Sequence, residues 1–430
     1  MPNSLKVAVV GLGTVGAETI RVLQRNAPVI AARCGRPIEV VAVSARTPGR
    51  ERGFSMEGIT WYDDPVALVS GHHVDVVCEL VGGEDGVAGQ VVRAALGRGY
   101  HVVTANKALL AHHGAELAAL AEKNGVALGW EAAVAGGIPV VKVLREGLSA
   151  NQISCVYGIL NGTCNYILTN MRETGRNFAD VLLDAQKLGY AEADPSFDVD
   201  GVDTAHKLAI LTSLAFGTRT DFGAIHVEGI RSLTAMDIAF ADELGYRIKL
   251  LGIARATDRG IEQRVHPCLV RKDAPIAAVE GVFNAVVAEG QFVGRSVLEG
   301  RGAGGGPTAS AVVADLMDIA AWRVGPVFGV PVADLVPLPK WSMEARKGAY
   351  YVRLMVEDLP GVFAEIAAAL RDAKVSMEAV VQRGRAPGEA VPVVMILHET
   401  VEAALNDALR RIRIIAAVVE PPQVIRIESF

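Results

Sequence analysis

The stretch "KVAVVGLGTVGAETIRVLQR", residues 6–25, decides how the N-terminal part of the chain folds. Residues 6–10 are a short, mostly apolar run that reads as a strand. Gly11-Leu12-Gly13-Thr14-Val15-Gly16 follows at once, and a helical pattern begins at Ala17. Strand, G-x-G-x-x-G and helix in immediate succession are the context that raises this motif above chance. Gly11 permits the tight turn, Gly13 lets backbone approach a pyrophosphate, and Gly16 allows close helix–strand packing. The helix start offers unpaired N–H groups to phosphates. A glycine-rich turn without a ligand is the alternative.

Working outward, residues 38–46 form a second strand pattern ending in Ser44-Ala45-Arg46, with Arg50 close behind. An NAD site places an acid at this end to hold the ribose, whereas a cation suits the 2′-phosphate of NADP. NADP is therefore preferred, with NAD possible and a solvated loop arginine as the plain reading. Residues 74–83, 90–99, 101–125 and 126–141 continue the alternation of strand, turn and helix. That pattern predicts an α/β fold with a parallel sheet. Ligands in such sheets sit at the carboxyl ends of strands. Lys107 falls at such an end and opens a helix, where the helix dipole disfavours a cation. A substrate or cofactor role explains that placement better than a surface lysine does.

The chain has 430 residues, 51% of them hydrophobic, and a net charge of -6. Two to three domains are expected, and no basic face points to nucleic acid. No apolar run is long enough to span a bilayer. The five cysteines are odd in number and lack C-x-x-C spacing. They point to a reducing compartment rather than a disulfide framework or zinc site, which places the protein in the cytoplasm. None sits in a nucleophile setting. His72-His73 and His112-His113 lack metal-site partners and read as solvated.

"EADPSFDVDGVDTAHK", residues 192–207, concentrates Glu192, Asp194, Asp198, Asp200 and Asp203 ahead of His206-Lys207. Aligned as an EF-hand on Gly201, it would close on Lys207, and a cation cannot close a calcium cage. Asp203 and Lys207 are four apart and share one helix face. The helix is otherwise apolar, so Lys207 would be partly desolvated and its pKa lowered, against the pull of the carboxylates. Proton exchange near neutral pH and an ordinary surface ion pair are both open on this pattern.

"LGYAEADPSFDVDGVDTAHKLAIL" (188–211), "TANKALL" (104–110), "EAAVAGGIPV" (131–140) and "GILNGTCNYILT" (158–169) resemble the signature segments of homoserine dehydrogenases. The resemblance covers essentially the whole chain. It implies NAD(P)-dependent interconversion of L-homoserine and L-aspartate 4-semialdehyde. It places the catalytic lysine on Lys207, the substrate amino group on Glu192, and Asp198 and Asp203 in the polar pocket. Lys107 matches a second active-site lysine beside the nicotinamide. The implied cofactor contacts are Gly11, Leu12, Gly13, Thr14, Val15, Gly16, Arg46, Arg50, Thr104, Lys107 and Gly306. The same family binds a monovalent cation, sodium, through backbone oxygens that fall here on Glu131, Val134, Gly136 and Ile138.

Residues 299–320 form a second glycine-rich loop opening a helix, without the ending of a P-loop. In the resembling family this segment returns to the cofactor domain. Beyond a Pro-rich stretch, the order of strand and helix patterns reads βαββαβ, a ferredoxin-like arrangement. "EDLPGVFAEIAAAL" (357–370) resembles the ACT family of amino-acid-sensing domains. Asp358, Pro360 and Gly361 make the turn where such domains hold a ligand, and L-threonine is the effector by analogy. A dimer-clamping role is the alternative. The expected layout is a Rossmann-type domain at 1–135 with 305–330, an α+β catalytic and oligomerisation domain at 136–304, a linker at 331–348 and an ACT domain at 349–430. ACT domains pair, so a homo-oligomer, dimer or tetramer, is implied.

Overall fold

The computed structural model describes residues 3–337, 339, 341–383 and 389–430. Leu338 and Lys340, in the stretch read as a linker, and 384–388, in the C-terminal unit, lie outside the described residues. Six strands form the first sheet: β1 (Leu5–Val10), β2 (Ile38–Ser44), β3 (Thr60–Tyr62), β4 (Val76–Glu79), β5 (His101–Thr104) and β6 (Leu128–Gly129). All pair in parallel, in the order β3-β2-β1-β4-β5-β6. Strand order reverses between β1 and β4, which opens a crevice at their carboxyl ends.

Helices cover both faces of this sheet, which is why its central strands are almost unbroken apolar runs. On one face Val7, Val9, Val76 and Cys78 pack with Ile20 and Leu23 of helix Thr14–Arg25. Val312, Leu316 and Ile319 of helix Gly305–Ala320 join the same cluster, so a distant segment completes the cofactor unit.

The second sheet contains β7 (Ile153–Ile159), β8 (His226–Val227), β9 (Tyr246–Thr257), β10 (Gly260–Arg271), β11 (Phe283–Gly290) and β12 (Gly294–Arg301). It continues through β13 (Lys347–Glu357), β14 (Met377–Gln382), β15 (Ala390–Val401) and β16 (Gln423–Glu428). The order is β12-β11-β7-β9-β10-β16-β13-β15-β14, with β8 paired to β10. With helices Val362–Asp372 and Glu402–Arg413, the last four strands make the βαββαβ unit. That unit is not tethered loosely. β16 pairs in parallel with β10 from Cys268↔Arg426 to Val270↔Glu428, so one ladder runs through both halves.

Buried charge reinforces the seam. Arg426 donates from Nη1 and Nη2 to Glu228 at 2.7 and 2.9 Å, and from Nε to Glu402 at 3.0 Å. Arg353 Nε donates to the fully buried Asp237 at 2.7 Å. Burial would raise the Glu428 carboxyl, but Arg264 and Arg346 hold it down to about 2. His266, Cys268 and Glu428 bring ligand-type atoms within 4.8 Å of one another. The surrounding guanidinium groups oppose a cation there. Among the described residues, no helix is long and apolar enough to cross a membrane.

Candidate active site

The crevice holds two neighbouring clefts. The first, of about 350 Å³, is lined by Gly11, Leu12 and Gly13, by Ser44 to Thr47, and by Arg50 and Arg52. Gly11 has φ +95, and a Cβ there would lie 2.6 Å from the Leu80 carbonyl. A Cβ on Gly16 would lie 1.9 Å from the Gly11 oxygen, so both positions require glycine. Gly13 faces open space and N-caps helix Thr14–Arg25 without a side-chain cap. A phosphate can therefore reach the helix N–H groups. Arg46 and Arg50 lie at the β2 end as expected, and Arg52 joins them. Its guanidinium donates to the carbonyls of Leu12 (3.3 Å), Thr47 (2.7 Å) and Arg50 (2.8 Å). These residues fit a dinucleotide with its adenosine end at β2.

The second cleft, of about 690 Å³, lies between the two sheets. Val15, Ala105 and Lys107 line it from the cofactor side, and Asn161, Asp198, Asp203 and Lys207 from the other. Helix Val202–Phe216 buries nearly every residue of its first three turns, Asp203 and Lys207 included. The surface ion-pair reading of these two is thereby excluded. Lys207 Nζ donates to the Leu160 carbonyl and to Asp203 Oδ2, each at 2.7 Å. Asp203 Oδ1 lies 3.0 Å from Lys107 Nζ, which reaches across from helix Lys107–Lys123. One carboxylate thus bridges two lysines on different units.

Burial pushes the Lys207 ammonium below the ordinary lysine range, with Asp203 opposing. Lys107 is shifted the other way, chiefly by the charge of Asp203. Burial would raise the Asp203 carboxyl, yet the two lysines hold it far below its ordinary value. Asp198 is raised by burial and by neighbouring Asp203. Asn161, which the sequence shows only as part of a turn, organises this set. Its Nδ2 donates to Asp198 at 2.7 Å and to Asp203 at 2.8 Å, while its Oδ1 accepts from Cys164 N and caps helix Gly162–Thr174. An Asn immediately before a helical pattern is the available signal, because its amide can cap and donate at once.

Other expected site residues stand elsewhere. Glu192 is exposed and does not line the cleft, although Tyr190 does. Thr104 turns its hydroxyl to Glu79 rather than to the cleft, which Ala105 lines instead. Gly306 lies in the first turn of helix Gly305–Ala320; Gly302, Ala303, Gly304 and Thr308 form the wall. Asp194 accepts from Ser196, and Asp200 pairs with Arg231. His112 is exposed on its helix as expected, yet its ring has a partner on helix Val202–Phe216. It pairs with His206 (Nε2 to Nε2, 3.2 Å) and packs on Phe222. Burial pushes His206 down to about 4, with His112 adding to the effect.

The loop 131–138 is buried except at Gly137, and its Ala135 and Gly136 are left-handed. The Ile138 carbonyl accepts from Val140 at 2.8 Å, and that of Glu131 from Val134 at 3.5 Å. Among the described residues no donor pairs with the carbonyls of Val134 or Gly136. Buried carbonyls without donors suit a hard cation. The Glu131 carboxylate itself caps the next turn, accepting from Val141 and Lys142. Burial and nearby Asp315 raise it to about 7. In the C-terminal unit, Asp358, Pro360 and Gly361 line a separate pocket of about 400 Å³.

Comparison with known proteins agrees with this geometry. The family model described as homoserine dehydrogenase matches residues 139–317, and that of its NAD binding domain matches 11–131. The ACT domain model matches 350–415. The chain is 47% identical over 433 residues to a homoserine dehydrogenase of Pseudomonas aeruginosa, covering 99% of each. A crystal structure of a homoserine dehydrogenase from Thiobacillus denitrificans matches with a TM-score of 0.94 at 45% identity, covering 99% of each chain. A hyperthermophilic archaeal homoserine dehydrogenase, solved in complex with NADPH, matches 76% of this chain and all of its own at 26% identity, with a TM-score of 0.65. A Rossmann crevice, a cleft with two lysines on one carboxylate and relatives along the whole length converge: the chain belongs to the homoserine dehydrogenase family of NAD(P)-dependent oxidoreductases, with an ACT domain at its C-terminal end.

Proposed function

We propose that this protein interconverts L-homoserine and L-aspartate 4-semialdehyde with Lys207 as general acid and base, and that it prefers NADP to NAD. One observation carries the reading. Lys207 Nζ lines the cleft while two of its tetrahedral directions are taken by the Leu160 carbonyl and Asp203. A neutral amine satisfies both acceptors with its two N–H groups and keeps its lone pair for a third partner. That partner is the substrate hydroxyl, whose proton Lys207 takes in oxidation and returns in reduction. Burial, by lowering its pKa, brings the neutral form within reach.

When bound, the nicotinamide accepts or returns the hydride at C4. The chain supplies placement. Asp198 and Asp203 offer acceptors for the substrate ammonium, and Lys107 lies at the cofactor side of the same carboxylate. Glu192 takes the amino group in this reading once the segment beyond Tyr190 turns inward. Arg46, Arg50 and Arg52 favour the 2′-phosphate. Val134 and Gly136, with Glu131 and Ile138, would hold a sodium ion that steadies the loop between the two units. The reaction serves threonine, methionine and isoleucine synthesis in the cytoplasm. The pocket at Asp358, Pro360 and Gly361 takes L-threonine as inhibitor, in a homodimer or tetramer.

Nicotinamide absorbance tests this, with L-homoserine and NADP, then NAD, each with and without L-threonine. Faster reduction of NADP, suppressed by threonine, is the expected result. Reduction indifferent to threonine would remove the effector and keep the enzyme. No reduction by folded protein would leave a cofactor-binding sensor without this chemistry.

A further inference from the structure

Glu79 is the last residue of β4 and is fully buried. Among the described residues it has no ion pair. Three donors converge on it instead. Its Oε1 accepts from Val81 N at 2.8 Å and from Gly82 N at 3.0 Å, and its Oε2 accepts the hydroxyl of Thr104, the last residue of β5, at 2.7 Å. Burying a carboxylate without a cation is costly, and an apolar side chain would fill the space at less cost. The hydrogen bonds therefore serve geometry more than stability.

Following them leads to the active site. Thr104 Oγ1 accepts from Asn106 N at 3.0 Å. Asn106 Nδ2 donates to the Gly83 carbonyl at 2.7 Å, while its Oδ1 accepts from Leu109 N at 3.1 Å. Asn106 is the N-cap of helix Lys107–Lys123. A closed circuit thus ties the glycine turn after β4 to the end of β5 and to the N-cap of the lysine helix. Ala105, inside that circuit, lines the cleft, and Lys107, the residue that follows Asn106, reaches Asp203.

We propose that Glu79 is a positioning residue for hydride transfer. Acting through Thr104 and Asn106, it fixes the nicotinamide-side wall of the cleft and the point from which Lys107 reaches Asp203. The proposal rests on the assignment of Lys107 to the active site. The adenosine cleft takes Leu80 and Val81 from the turn that Glu79 holds, but neither Thr104 nor Asn106 lines it, so the circuit beyond Glu79 belongs to the nicotinamide half of the cofactor site alone.

Two substitutions at this position have opposite consequences. Glu79→Gln keeps a carbonyl oxygen for Val81 and Gly82, and its amide can donate to Thr104, whose oxygen still receives Asn106 N. Glu79→Ala removes every acceptor. Thr104→Val cuts the circuit one step further along and serves if Glu79→Ala does not fold. The full-length variants are assayed for homoserine oxidation and for binding of NADPH and of ADP, which lacks the nicotinamide. In Glu79→Ala or Thr104→Val, kcat should fall about 10- to 100-fold, as a misplacement of about 1 Å does. NADPH binding should weaken severalfold in both, ADP binding should be unchanged in Thr104→Val, where Glu79 still holds Val81 and Gly82, and Glu79→Gln should stay near wild type. Three results would each overturn the proposal: wild-type kcat in the disruptive variants, equal loss of ADP and NADPH binding in Thr104→Val, or Glu79→Gln as impaired as Glu79→Ala. A fully active Lys107→Ala would instead bring down the reading beneath it, whatever the Glu79 variants do.

Discussion

Replacing Asp203 by Asn changes little volume but removes the charge shared by two lysines. Asp203 Oδ2 accepts from Lys207 at 2.7 Å, and both side chains are buried. A hydrogen bond to a charged group contributes about 1.5–3 kcal/mol, and each pH unit of titration corresponds to about 1.36 kcal/mol. Asp203 favours the protonated lysine, so its loss leaves burial opposed only by the weaker pull of Asp198 and eases deprotonation. In the proposed mechanism oxidation needs the neutral amine, so kcat/KM for homoserine should rise with pH through the Lys207 titration. In Asp203→Asn that rise should move roughly 1–2 pH units toward acid. In the reduction direction, where Lys207 must be protonated, the alkaline fall should move the same way. The plateau should drop about tenfold or more, because Lys107 also loses its partner. Initial rates across pH in both directions measure this. A rise that stays in place or moves toward alkali would refute the coupling of Lys207 to Asp203.

Arg426→Ala should destabilise the seam between the two halves of the second sheet by about 3–5 kcal/mol, because Glu402 is left buried without its cation. Thermal unfolding checks it, and an unchanged transition would mean that the pairing of β10 with β16 suffices alone. Burial pushes Asp315 to about 6 and Glu131 to about 7, while unfolded carboxylates titrate near 4. The folded state therefore holds protons that the unfolded chain has released. Their stabilising contribution is complete below pH ~4 and is lost as pH rises through about 6 and 7. Asp315→Asn should flatten the dependence of the unfolding midpoint on pH in that window; an unaltered slope would contradict it.

What the sequence discloses here follows its physics. The dinucleotide unit is legible because Gly11 and Gly16 stand where no side chain fits, and because β1 and β4 are apolar on both faces. The βαββαβ order is legible from local periodicity. The pairing of β10 with β16 is not, since a period of two announces a strand without naming its neighbour. On sequence alone Lys207 is open between surface and core for a similar reason. Helix Val202–Phe216 is buried all round, so no polar face marks which side meets solvent. Side-chain direction is the other blind spot. Thr104 and His112 occupy the elements expected, but what each hydroxyl or ring meets depends on Glu79 and His206, both distant in sequence. Glu192 belongs with these, exposed although it follows the cleft-lining Tyr190 so closely.

In the proposed mechanism Lys207 moves the proton while the rest of the chain holds cofactor and substrate. Lys207→Ala, compared with wild type for homoserine-dependent reduction of NADP and for NADPH binding, tests it most directly. Turnover should fall by about 100-fold or more with NADPH affinity largely intact, because the dinucleotide loop lies on a different unit. Wild-type turnover by that variant at saturating homoserine would contradict it.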